Sequence, residues 1–143
     1  MYKLLFSFAV YSLLTFVNTA KAQIIFSCET LNNKRVEVRD SGETINYKFG
    51  RDLSNPEMNL SVSRSMASTW QWHGVGREMN YSVTIPNGNT EYTVFFSVDR
   101  LSEGYPLTSG VVVKINKQPK ATVFCNSSTL VQHLEGIDLK PEQ

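Results

Sequence analysis

Cysteine, histidine, clustered charge and long apolar runs are all scarce in this chain, and each shortage removes a class of function. There are two cysteines, Cys28 and Cys125, and two histidines, His73 and His133, in 143 residues. With no third cysteine and no histidine at ligand spacing, no metal centre is expected. The carboxylates are scattered through strands and turns, and "TSGV" lacks the flanks of a nucleophile elbow. A small hydrolase built on His73 or His133 therefore stands as a rival without a supporting motif. The "GVGRE" stretch has too few glycines and no following helix for a phosphate loop, so no cofactor is expected. Residues 23–143 carry 12 basic and 13 acidic side chains with no basic stripe. That excludes nucleic acid and anionic membrane surfaces as expected partners.

The one long apolar run, "LLFSFAVYSLLTFV" at 4–17, follows a short basic start and precedes an A-x-A ending at Ala20 and Ala22. This is the pattern of a secretory signal over residues 1–22, leaving a single domain at 23–143 with no membrane span of its own. Export to a periplasm or to the outside is the expected localisation. In such a compartment an isolated cysteine pair reads as a disulfide, here Cys28–Cys125. Closing so long a loop is worth roughly 4–5 kcal/mol by chain entropy.

What the chain has in abundance is alternation. "IIFSC", "RVEV", "INYKF", "MNLSV", "YSVTI", "EYTVFFSVD", "VVVKI" and "ATVFC" each put apolar residues on every second position. Both cysteines fall in register with the apolar face of their strands. "NNK", "DSGE", "PNGN" and "NKQPK" are hairpin-type breaks, while "GRDLSNP" and "RLSEGYPLTSG" are longer loops suited to carrying function. The expectation is an all-β, mostly antiparallel domain, either a small closed barrel or a sandwich. One short C-terminal helix is expected over "NSSTLVQHLEG", capped by Asn126 or Ser127 and stopped at Gly136.

Residues 69–78, "TWQWHGVGRE", concentrate both tryptophans with His73 and Arg77. If this segment stays extended, Trp70, Trp72, Gly74 and Gly76 share one face and Gln71, His73, Val75 and Arg77 the other. Two readings follow: packing of rings over missing side chains, or an aromatic platform for a sugar or peptide.

The opening "FSCETLNNKRVEVRDSGETINYKFG" resembles the start of the periplasmic or membrane-bound inhibitors of c-type lysozyme, with an aromatic-x-Cys strand followed by short hairpin strands. That resemblance implies a barrel closed by a late cysteine, and a loop of pattern S-G-x-x-Y that enters the lysozyme cleft. Ser109 and Gly110 of "TSGVVV" match it, with Val113 at the tyrosine position. The centre, "W-x-W-x-G-x-G-R" at Trp70–Arg77 and "S-x-x-I-P-N-G-x-x-x-Y" at Ser82–Tyr92, is similar to small exported bacterial proteins of unknown role. Together these imply an exported binding protein, most concretely an inhibitor of, or immunity factor against, a cell-wall-degrading enzyme or toxin. The expected contacts are Ser109, Gly110 and Tyr105 on the long loop, with Arg77 and His73 as a second cluster. The rival is a glycan-binding module centred on Trp70 and Trp72.

Overall fold

Short turns between alternating strands leave each strand only its sequence neighbour to pair with, and two meanders result. The computed structural model describes residues 21–143, so the expected signal segment, residues 1–22, lies outside the described residues except for Lys21 and Ala22. The first meander is β1 (Gln23–Glu29), β2 (Arg35–Asp40), β3 (Thr44–Gly50) and β4 (Met58–Ser63). A single 3-10 turn at Arg64–Met66 carries the chain across to the second. This contains β5 (Ser68–Gln71), β6 (Glu78–Asn87), β7 (Thr90–Asp99), β8 (Leu107–Ile115) and β9 (Gln118–Phe124). The residues after Cys125 then return to both sheets. β10 (Val131–Gln132) pairs antiparallel with β1, and β11 (Lys140–Pro141) pairs parallel with β5. The sheet orders are β10-β1-β2-β3-β4 and β11-β5-β6-β7-β8-β9. Of the two expected architectures the sandwich is found; the described strands form no closed barrel.

The core lies between the sheets and is built from the alternating positions. Phe26, Val36, Val38 and Ile45 from the first sheet meet Val83, Ile85, Val94 and Val111 from the second, all fully buried. Each such side chain contributes about 1.5–3 kcal/mol of transfer free energy. Tyr47 stacks on Tyr92 across the interface with ring centroids 5.0 Å apart. Burial, and secondarily the neighbouring Tyr92, push the Tyr47 phenol above its ordinary range. The Cys28–Cys125 disulfide is formed, with Cα atoms 5.8 Å apart, and joins the end of β1 to the end of β9. One register detail departs from strict alternation. A bulge between Ile24 and Phe26 turns Ile25 inward, in place of Ile24.

The expected C-terminal helix is not there. Asn126 does cap, its Oδ1 accepting from Ser128 N at 3.1 Å, but only a 3-10 turn over Ser127–Thr129 follows. Val131 and Gln132 then pair with Ser27 and Phe26. The free edge of β1 offers ladder hydrogen bonds that a helix would forgo, and extended chain lets Leu134 reach the core, where it is fully buried. Local propensity loses to tertiary context. Gln71 holds this segment in place: its Nε2 donates to Leu134 O at 2.8 Å and its Oε1 accepts from Gly136 N at 2.8 Å.

Candidate functional site

Strands β5 to β8 run up and down, so the β5–β6 connection (72–77) and the β7–β8 connection (100–106) emerge at the same end of one sheet. The tryptophan segment does not stay extended. β5 stops at Gln71, and Gly74 and Gly76 take φ of +82° and +100°, a region open to glycine at no steric cost. The chain therefore loops back, and the face-sharing expected for Trp70 and Trp72 is lost. Trp72 instead packs against the edge of the core, with its Nε1 donating to Val75 O at 3.0 Å. The Arg100 guanidinium lies 4.6 Å from the Trp72 ring centroid and reaches Gly76 O at 3.2 Å.

Arg77 and Asp99 lock the two loops together. The guanidinium donates through Nε and Nη2 to the two Asp99 carboxylate oxygens at 2.9 and 2.7 Å, a bidentate geometry. Arg77 Nη2 also donates to Ser102 Oγ at 2.9 Å, and that hydroxyl in turn donates to Asp99 Oδ2 at 2.7 Å. Asp99 Oδ1 further accepts from the amides of Leu101 and Ser102 at 3.0 and 3.2 Å. The Arg77 hydrogen bonds, then the Ser102 hydroxyl, hold the Asp99 carboxyl well below the usual carboxylate range. The same partner raises Arg77.

Among exposed charged groups such as Arg100 and Glu103, the brace presents three apolar side chains. Val75 is 84 % exposed, Leu101 73 % and Tyr105 67 %. Tyr105 also sits at φ +47°, in the left-handed region that bulky residues avoid. A strained, solvent-facing aromatic on a braced loop is a feature that folding alone does not call for.

Of the expected contacts, Tyr105 and Arg77 belong to this loop pair. His73 is exposed at its near edge, its ring meeting Trp70 edge-on at 5.1 Å. Ser109 and Gly110 do not belong. β8 begins at Leu107, so both lie in a strand rather than on a protruding loop. Ser109 is 1 % exposed and faces the core; Gly110 is buried against β9. A Cβ on Gly110 would stand 2.3 Å from Val123 O, so glycine is there for strand approach, not for contact with a partner. Besides Val75, which no pattern marks, the residues missed from sequence were Asp99, Arg100, Leu101 and Ser102. Their signal was available: a D-x-x-S pattern opening a long loop, the arrangement of an Asx turn.

Comparison of the chain with protein-family models, with curated proteins and with solved structures finds no match. Fold and site geometry therefore define the class: a disulfide-closed β-sandwich with a loop pair braced by an ion pair at one end. No helix among the described residues is long and apolar enough to cross a membrane.

Proposed function

We propose that this is an exported, non-enzymatic binding protein that engages a protein partner through the braced loop pair, the partner being a cell-wall-degrading enzyme or toxin. The observation that carries the reading is the combination at 72–77 and 99–106. Three apolar side chains are held out to solvent on backbone fixed by a bidentate ion pair, an Asx turn and a cation–π contact. Pre-ordering of this kind removes much of the entropy cost of binding, and central aromatic and aliphatic anchors are what protein interfaces use. The disulfide and the signal-like opening support an oxidising compartment, periplasmic or extracellular. The inhibitory contact moves from Ser109 and Gly110, which are buried, to Tyr105, Leu101 and Val75.

The test is inhibition of purified c-type lysozyme and of a panel of muramidases and amidases by the mature chain, alongside capture from periplasmic and secreted fractions. Leu101→Asp and Tyr105→Ala are expected to abolish inhibition and capture, while Lys48→Ala, on the outer face of the other sheet, leaves both intact. Failure to inhibit any of these enzymes, with capture indifferent to the loop substitutions, overturns the proposal.

A further inference from the structure

The outer faces of the two sheets differ in a way the loop pair does not explain. On the first sheet, outward of the short edge strand and its Val131, the cross-strand row is polar or charged: Ser27, Glu37, Lys48 and Asn59. On the second sheet one cross-strand row reads Trp70, Ser82, Phe95, Gly110, Phe124, each residue directly paired with the next. Large rings thus occur on alternate strands, β5, β7 and β9, separated by a serine and a glycine. Trp70 is 43 % and Phe124 45 % exposed, and Phe95 is half-buried between them.

From this row we infer a binding ledge for a single extended β-1,4-linked glycan chain running across the strands. Strand spacing puts successive rings about 9.6 Å apart and the outer pair about 19 Å apart. Successive sugars of a β-1,4 chain are turned over, so every second sugar presents the same apolar face, which is the periodicity of the rings. The groove over Ser82 receives one intervening sugar, and the next crosses Gly110, where no side chain stands up from the sheet.

The flanks suit sugar hydroxyls. Asn80 Oδ1 accepts from the Trp70 indole at 2.7 Å and holds that ring down along the sheet. On the other flank Thr84 and Thr93 share a hydrogen bond at 2.8 Å, and Glu142 Oε1 accepts from Ser82 and Thr84. A groove of about 310 Å³ lies between Trp70 and Phe95, floored by Ser82 and Thr93 with Lys114 and Glu142 at its polar side. A row of rings broken by hydroxyls, amide and carboxylate is amphipathic along its whole length. A protein-docking patch concentrates its apolar groups in a dry centre instead. Adjacent strands are rotated by about 20–25°, so the ledge is twisted. It therefore takes an isolated chain in solution and not the flat face of a crystalline polysaccharide. Trp72, which packs on the core edge under Arg100, takes no part. The inference is independent of the loop pair, which uses other residues at the end of the sheet.

The experiment is fluorescence and calorimetric titration of the mature chain with chitohexaose, cellohexaose, chitobiose and the α-linked maltohexaose. Binding of at least one β-1,4 hexasaccharide is expected, tenfold or more tighter than the disaccharide and absent for the α-linked chain. Trp70→Ala, Phe95→Ala and Phe124→Ala should each weaken it about tenfold, a difference of about 1.4 kcal/mol. Leu101→Asp should leave it unchanged. Circular dichroism and an intact disulfide check that the variants fold, and Phe124→Leu, which keeps an apolar side chain but no ring, separates stacking from packing. No binding of either β-1,4 hexasaccharide overturns the inference. So does equal binding by folded ring variants, or sedimentation showing that the row instead mediates a dimer dissolved by Trp70→Ala.

Discussion

Breaking Cys28–Cys125 tests how the two sheets are held together, and its cost can be worked from the topology. The bridge closes a loop of 97 positions, which the chain-entropy relation converts to about 4.7 kcal/mol. Native packing should survive reduction. Thr30 and Cys125 remain paired, Leu31 N still donates to Phe124 O at 2.9 Å, and Asn126 N to Glu29 O at 2.7 Å. The loss therefore falls mainly on the unfolded state, released from its tether. Against a usual domain stability of about 5–15 kcal/mol, it is from about 30 % to nearly all of the total. With an m-value of about 1.5 kcal/mol/M, the urea midpoint should fall by about 3 M on reduction. The assay is urea unfolding followed by tryptophan fluorescence, oxidised and in dithiothreitol, with Cys28→Ala/Cys125→Ala as a non-reducible check. The reduced chain should also show a larger m-value, because its unfolded state is no longer looped. Midpoints within 0.5 M of each other would refute the reasoning, since the tether would then contribute almost nothing.

Three further outcomes follow from single residues. Ser109 Oγ is buried without a hydrogen-bond partner among the described residues, so Ser109→Ala should stabilise by about 1 kcal/mol and raise Tm by about 4 °C in calorimetry; a lower Tm would refute this. Tyr105→Gly relieves a left-handed backbone at some entropic cost, for a net gain of about 0.5–1 kcal/mol in chemical denaturation, and at the same time it should lose the protein partner. A loss of stability there would mean that the ring packs in the fold. Asp99 has a folded pKa below its unfolded one, so its contribution is present above the ordinary carboxylate value and disappears as pH falls through the lower, folded value. The Leu101 and Ser102 amides should accordingly stay protected from hydrogen exchange at pH 4 and lose protection only in stronger acid. Asp99→Asn should expose them at neutral pH.

Strands and disulfide were legible because both rest on strict alternation, which the core enforces: a slip of one residue would have put Val36, Val38 and their partners into water. The helix was misread because a sequence-local cap and apolar spacing cannot reveal that β1 has a free edge waiting. The same blindness extended "RLSEGYPLTSG" too far as a loop. Thr108, Ser109 and Gly110 are strand only because β7 is long enough to pair with them, through Ser97, Phe96 and Phe95. Phe95 and Phe124 could have been found. Both fall on the polar phase of an otherwise clean alternation, which marks an aromatic pointing outward. Their alignment with Trp70, however, depends on registers across five strands, and no local pattern fixes those.

The return of the last residues to both sheets has a consequence for how the molecule is made. Until β10 and β11 exist, β1 and β5 each show a bare row of amides and carbonyls, the surface on which strands of other chains assemble. Cys125 too arrives late, long after its partner. During synthesis, amino end first, the chain thus spends most of its time with β1 and β5 open along these sides. The pairing of β1 and β5 is completed only once β10 and β11 have been made. Truncation just after Cys125 would leave the covalent staple in place and both of those edges uncovered. Such a product would retain the core's chemistry but lack protection from its own copies, and it would be lost to aggregation before it was lost to unfolding.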